Sequence, residues 1–246
     1  MLAIIGGSGL TRLSTLSVAH REVVRTPYGE PSSALVFGQI AGSDVVFLAR
    51  HGHGHTIPPH RVNYRANIWA LKQRGVDAIL AVASVGAISA QHAPGSLVLP
   101  VQLIDYTSGR EHTYFDGGDR RVIHVDFTQP YSPELRARCL TAARRAAVAI
   151  HDGGVYGAVS GPRLETAAEI DRMERDGATI VGMTGMPEAG LARELGIAYA
   201  SISVVVNHAA GRGDSAQAVS IERIADVLET AMDKVRLLIA NVVTEK

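Results

Sequence analysis

Cysteine is almost absent from this chain of 246 residues, Cys139 being the only one. A single thiol excludes an intrachain disulfide and any cluster of thiolate ligands. Cys139 lies in the helical pattern Leu135-Arg-Ala-Arg-Cys139, with no histidine near it in sequence to activate it, and reads as packing. An excess of either charge is also missing, since Lys plus Arg and Asp plus Glu each number 24. With no net basic field, neither a nucleic acid nor a membrane is expected as partner, and a small molecule fits better. The start, Met1-Leu-Ala-Ile-Ile-Gly-Gly7, lacks the basic segment and long apolar core of a secretory leader. No Pro, Gly or Ser tract is long enough to be a linker, and there is no internal repeat or low-complexity segment. The expectation is one domain spanning residues 1–246, located in the cytoplasm.

What is present is a 46% hydrophobic composition, enough for a sizeable core. Short runs rich in β-branched residues, at Leu2 to Ile5, Asp44 to Ala49, Ala78 to Ala83, Thr179 to Val181 and Ala198 to Val206, read as buried strands. Between them lie helical patterns at Asn63 to Arg74, Pro133 to Ile150, Thr166 to Asp176 and Pro187 to Leu195, and a last helix runs from about Ser220 to Val243. Gly75 and Gly196 supply stops, and Thr166 with Glu169 supplies a capping pair. On the last helix Ile221, Ile224, Leu228, Met232, Val235 and Leu238 form one apolar stripe that predicts an inward face. The alternation predicts an α/β fold with a mostly parallel or mixed central sheet flanked by helices.

Polar residues recur just past the predicted strand ends: Ser8, Arg50 with His51, Ser84, the Gly161 to Glu165 turn, Met183 with Thr184, and Asn207. The carboxyl edge of an open α/β sheet is where ligands bind, so six segments converging there predict a binding site. Gly6-Gly-Ser-Gly-Leu10 follows the first strand like a phosphate cradle, glycine letting backbone approach an anion and Ser8 adding a hydroxyl. A dinucleotide fingerprint fails, because position 12 is arginine where a third glycine is needed. In Arg50-His-Gly-His-Gly-His55 the arginine suits phosphate and His51 can add a donor. A metal held by His51, His53, His55 and His60 is the competing reading, disfavoured by the adjacent arginine and the missing carboxylates. Ser84 and Thr184 offer small hydroxyls to phosphate oxygens, or else cap helices.

Asn207 and Glu165 carry the most chemical information. An amide NH2 has two donors to match the N7 and O6 acceptors of a 6-oxopurine, and a carboxylate accepts from its protonated N1. Adenine inverts both demands and would leave buried groups unpaired. Singly, Asn207 also reads as a turn residue and Glu165 as a helix-start carboxylate.

Taken together, Gly6-Gly-Ser-Gly9, Arg50-His-Gly52, Val62-Asn-Tyr-Arg-Ala-Asn-Ile-Trp-Ala-Leu71, Gly161-Pro-Arg163, Gly182-Met-Thr184 and Val219-Ser-Ile-Glu-Arg223 resemble the nucleoside phosphorylase family that contains methylthioadenosine phosphorylase and trimeric purine nucleoside phosphorylase. The resemblance runs almost end to end. It implies Ser8, Arg50, His51, Ser84 and Thr184 around phosphate, Met183 beneath the ribose, and Glu165 and Asn207 at the base. It further implies a homotrimer or a dimer of trimers, in which His124 of Val122-Ile-His-Val125 reaches a neighbouring subunit's site. Inorganic phosphate would be a co-substrate, with no metal and no organic cofactor.

Two departures refine the expectation. Methylthioadenosine phosphorylases carry two aspartates where this sequence has Asn207 and Ala209, and they lack the glutamate at Glu165. The positions that line their 5′ pocket align here with Ile221, Ile224 and Ala225, which are apolar and suit a methylthio group better than a hydroxyl. The resemblance therefore implies phosphate-dependent cleavage of S-methyl-5′-thioinosine to hypoxanthine and 5-methylthioribose 1-phosphate. The alternatives are a general 6-oxopurine nucleoside phosphorylase, a methylthioadenosine phosphorylase, and a non-catalytic purine nucleoside sensor. Roles for His53, His55, His208, Arg212 and Asp214 stay open at this stage.

Overall fold

A computed structural model describes residues 1–117 and 122–245. Its strands, in chain order, are β1 (Leu2–Gly6), β2 (Ser17–Glu22), β3 (Leu35–Ile40), β4 (Ser43–Ala49), β5 (Ala78–Ala87), β6 (Leu97–Leu99), β7 (Gln102–Asp105), β8 (His151–Asp152), β9 (Val155–Ala158), β10 (Ile180–Gly182) and β11 (Ala198–His208). They form one mixed sheet in the order β2-β3-β4-β1-β5-β10-β9-β7, with β11 paired to β5 and β6, and β8 to β6. The sheet forks at β5. Its residues Ala78 to Ala81 run parallel to β1, Gly86 and Ala87 pair antiparallel with β10, and β11 follows the whole strand in parallel.

Burial on both faces explains why β1, β5 and β11 are continuous apolar runs and not alternating ones. One face is covered by α2 (Pro133–Arg145) and α5 (Ile221–Thr244), through Leu135, Cys139, Met232, Val235 and Leu238. The other carries α1 (Tyr64–Gln73) and α4 (Gly185–Glu194), through Ile68, Leu71, Ala189 and Leu191. The remaining helix, α3 (Ala167–Arg175), packs Ile170 and Met173 against Val181 and Ala209.

Helix starts follow their side-chain caps. Asn63, Ser132, Thr166 and Ser220 each accept from the backbone N–H three residues on, and Thr166 with Glu169 completes the reciprocal box. Two expectations change. The helix expected to reach Ile150 stops at Arg145, because Ala147 takes the left-handed conformation (φ 51°) and Val148 N donates to the Ala143 carbonyl at 2.9 Å. That is a helix-closing motif built without glycine. The inward stripe on α5 begins only at Ile224, since its first turn projects beyond the sheet and leaves Ile221 64% exposed. Among the described residues no helix is long and apolar enough to cross a membrane.

Candidate active site

A cavity of about 360 Å³ opens at the carboxyl edge of β1, β4, β5, β10 and β11, within the range of small-molecule sites. It gathers Ser8, Arg50, His51, Ser84, Glu165, Met183, Thr184, Asn207 and Ile224 from residues far apart in sequence. Ser84 and Asn207 lie inside strands, not past their ends: β5 and β11 outrun β1, and residues just short of their ends, Ser84 to Gly86 and Val206 with Asn207, line the cavity.

The glycines after β1 have a steric reason. A Cβ on Gly6 would fall 2.0 Å from the Leu10 carbonyl oxygen, and one on Gly7 would fall 2.7 Å from the Val82 carbonyl and 2.9 Å from Arg50 Nη1. The turn therefore lies flat on β5 and on the arginine. Ser8 Oγ stands 3.3 Å from His55 Nε2 at the mouth.

Arg50 is 1% exposed and already engaged. Its Nε and Nη2 donate to the two carboxylate oxygens of Glu188 at 2.7 and 2.8 Å, and Nη1 donates to the Val82 carbonyl at 2.9 Å. Glu188, fully buried on α4, also accepts from the Tyr199 hydroxyl at 2.8 Å. Burial alone would weaken the guanidinium's hold on its proton, but the Glu188 carboxylate more than offsets this and raises its pKa. Arg50 thus reaches the cavity with its charge matched and two of its five N–H groups uncommitted, not as the free phosphate clamp expected from sequence. Glu188 was invisible as a partner because it reads as an ordinary acidic residue in a helix's first turn.

His51 also differs from expectation. Its Nδ1 lies 2.8 Å from the Ile57 carbonyl, which can only accept, so Nδ1 carries the proton and Nε2 is an acceptor. Burial, with Arg50 beside it, pushes the ring's pKa down to about 4, so it is neutral at pH 7 and does not donate from Nε2. His53, His55 and His60 are exposed, and among the described residues no group of three or more His, Cys, Asp or Glu could hold a metal ion.

Of the two small hydroxyls, that of Ser84 waits without a partner and that of Thr184 meets the Tyr156 hydroxyl. Ser84 Oγ is buried and makes no hydrogen bond, an arrangement that costs about 1–3 kcal/mol until a ligand oxygen answers it. Thr184 stands at the start of α4 yet its side chain caps nothing, while its backbone N donates to the Tyr156 hydroxyl at 3.3 Å. Met183 forms the wall between them and the Gly161 turn, where a Cβ would meet its Sδ at 2.3 Å.

Beyond the Gly161 turn, Arg163 gives both terminal nitrogens to Glu169 at 2.9 Å and so leaves Glu165 without a direct ion pair. Burial raises the Glu165 pKa above the usual carboxylate value. Asn207 sits at a bulge in β11 and donates one amide hydrogen to the His208 carbonyl at 2.6 Å. One donor, not two, is therefore free for a ligand until that contact is exchanged. The following loop does not close over the cavity: Arg212 is pinned to Asp171 and Glu174 of α3, each at 2.8 Å, and the Asp214 N–H meets His208 Nδ1 at 3.4 Å.

Ile224, Val206, Ile57, Pro58 and Leu164 make the apolar part of the lining. Ile221 and Ala225, expected beside Ile224, lie outside it, Ile221 in solvent and Ala225 over a separate depression with Gly9 and Leu228. His124 is exposed and away from this chain's own cavity.

The family model described as Phosphorylase superfamily matches residues 1–244. The chain belongs to that superfamily. A probable S-methyl-5′-thioinosine phosphorylase of Pseudomonas syringae pv. tomato is 52% identical over 98% of both chains. A probable 6-oxopurine nucleoside phosphorylase of Thermococcus kodakarensis is 43% identical over 98% of this chain and 91% of its own. Among solved structures, methylthioadenosine phosphorylase from Schistosoma mansoni in complex with adenine superposes with a TM-score of 0.94 at 32% identity, covering 98% of this chain and 90% of that one. Membership makes the chain an enzyme of the pentosyltransferase kind.

Within a phosphorylase cavity, the buried pair has a measurable signature. Glu188→Ala strands the Arg50 charge in the core and is expected to cost about 3–5 kcal/mol of folding free energy in urea denaturation. A loss below about 1 kcal/mol would mean that Arg50 finds another counter-charge.

Proposed function

We propose that this chain cleaves S-methyl-5′-thioinosine with inorganic phosphate, releasing hypoxanthine and 5-methylthioribose 1-phosphate. The observation that carries the reading is the mixed lining of one cavity: Glu165 and Asn207, which suit a 6-oxopurine, share it with the hydroxyls of Ser8, Ser84 and Thr184 and with the apolar Ile224, Val206 and Ile57.

Phosphate oxygen attacks C1′ as the bond from C1′ to N9 breaks, and the electron pair of that bond passes to the purine. Negative charge then spreads toward N7 and O6, where the Asn207 amide stabilises it, and Glu165 accepts from N1–H. Positive charge grows on the sugar and is met by the phosphate held against Ser8, Ser84, Thr184 and Arg50. Catalysis by this route is orientation and electrostatics, and it requires no metal or organic cofactor. Apolar lining near the sugar's 5′ end gives a methylthio group a favourable transfer of roughly 1–3 kcal/mol over a hydroxyl that finds no partner.

The 6-oxopurine nucleoside phosphorylase reading shares Asn207 and Glu165, and parallel measurement of kcat/KM for methylthioinosine, inosine and methylthioadenosine separates the three. Methylthioinosine is expected to lead by about 100-fold, or roughly 2.7 kcal/mol. A lead for inosine would remove the 5′ argument, and a lead for methylthioadenosine the base argument. Asn207→Asp should lose oxopurine turnover by at least about 100-fold.

Phosphate meets a cavity where, among the described residues, the one permanent cation of the lining, Arg50, is already balanced by Glu188 and where His51 presents an acceptor. It binds with its own proton directed at His51 Nε2, and that proton can end on the departing purine. Since the His51 pKa is lowered to about 4, the ring takes up no proton by itself near neutrality. Affinity for total phosphate should therefore fall as pH rises through the second ionisation of phosphate, with net proton uptake in calorimetry run in two buffers. His51→Gln, which replaces the acceptor with an amide, should flatten that dependence; an unchanged slope would contradict the assignment.

The same reading carries an assembly. Val122, Ile123 and Val125 flank His124 with side chains 73%, 50% and 38% exposed, an apolar strip that a second copy of the chain would cover. Sedimentation should give three chains per particle or a multiple, and His124→Ala should impair nucleoside turnover without dissociating it. A monomer with full activity would overturn this. A cytoplasmic location accompanies it, where a lone buried thiol stays reduced.

A further inference from the structure

Arg110 belongs to none of the motifs that mark the cavity and does not line it, yet it holds the Met183 carbonyl of its wall together with the segments on either side. Its Nη2 donates to the carbonyl oxygens of Ser160 at 2.8 Å and Met183 at 2.9 Å, and reaches that of Val159 at 3.3 Å. Its Nη1 donates to the Met186 carbonyl and stands 3.5 Å from the Tyr64 hydroxyl. The guanidinium carbon lies 5.2 Å from the centre of the Tyr64 ring. These partners are carbonyls and a phenol, not carboxylates.

The five partners fall in three segments of the chain. Val159 and Ser160 precede the Gly161 turn that delivers Glu165. Met183 is followed by Thr184, and Met186 is the extended residue (φ −121°, ψ 141°) from which α4 departs toward Glu188. Tyr64 donates to the Pro59 carbonyl at 3.0 Å, and Pro59 lines the cavity beside the Gly161 turn, where a Cβ would meet its Cγ at 3.1 Å. Loops are soft elements, and among the described residues no other arginine or lysine hydrogen-bonds to all three of these segments. A planar, always-charged fork with five N–H groups can bind several carbonyls at fixed angles, which a lysine cannot.

We propose that Arg110 is a positioning residue for phosphorolysis: it fixes the segment carrying the base-reading Glu165 relative to the segment carrying Met183 and Thr184, and so sets the approach of phosphate to the sugar. It touches neither substrate. The inference rests on the phosphorolytic reading above. Each half-site keeps its own contacts when Arg110 is lost, while their mutual alignment, to which displacements on the order of 1 Å matter about 100-fold, does not.

The test is steady-state kinetics of Arg110→Lys and Arg110→Ala, with melting temperatures and added guanidinium. Arg110→Lys is expected to fold with both KM values within about 5-fold of the parent and kcat lower by about 100-fold. Guanidinium at millimolar concentration, harmless to the parent, should restore at least about a tenth of the lost kcat to Arg110→Ala by refilling the vacated fork. Near-parental kcat in Arg110→Lys, or KM values rising with kcat unchanged, would overturn the proposal. So would losses that follow the unfolded fraction and resist guanidinium; if the alanine variant does not fold, the kcat and KM split of the lysine variant decides. A parent that releases no base with phosphate sinks the phosphorolytic reading first, and is thereby distinguished from a failure of Arg110 alone.

Discussion

The ion pair between Arg50 and Glu188 is the contact on which the rest of the site depends. It joins the end of β4 to α4, with the Tyr199 hydroxyl of β11 as third member, and all three groups are out of water. Two bare charges in such a place would be prohibitive, and the bidentate geometry with further hydrogen bonds to Val82 and Tyr199 is what makes the arrangement tolerable. The Gly7 backbone then lies against Arg50, so the cradle after β1 takes its shape from the same pair.

The pair also decides what kind of anion site this is. Attraction to a dianion by a free cation is replaced by a set of directed neutral donors, Ser8, Ser84 and Thr184, with two remaining N–H groups of Arg50 and a neutral histidine. Directed donors in a dry cavity bind phosphate through geometry, and geometry is what an in-line displacement at C1′ requires. At the base end the logic is complementary. Glu165 is denied its neighbouring arginine by Glu169, so its unpaired carboxylate awaits a ligand N–H, and burial already makes its charge costly.

Much of this was legible in sequence for a physical reason: strands buried on both faces are apolar runs, and the polar residues that interrupt them at one edge have no structural use. β1, β5 and β11, and with them Ser8, Ser84 and Asn207, were found this way. Six strands were not: β2, β7 and β8 are mostly exposed and carry no apolar period, as in Ser17-Val-Ala-His-Arg-Glu22, while β6 and β9 are only three and four residues long and β3 is interrupted by Gly38 and Gln39. The end of α2 escaped because an alanine takes the left-handed position where glycine is the usual signal. Pairings escaped altogether. That Arg50 faces Glu188, 138 positions away, that Arg163 chooses Glu169 over Glu165, and that Arg110 gathers carbonyls from two segments and a phenol from a third are facts of tertiary contact. Ile221 was placed in the pocket by alignment on a helix whose first turn has no cover in a single chain.

The most direct test of the account is a crystal structure of the chain with phosphate and a non-cleavable methylthioinosine analogue. The account predicts Asn207 Nδ2 within hydrogen-bonding distance of N7 or O6, having left the His208 carbonyl, Glu165 accepting from N1, phosphate on Ser84 and Thr184, and the methylthio group against Ile224. A purine bound the other way round, with Glu165 facing solvent or Asn207 still closed on His208, would contradict it.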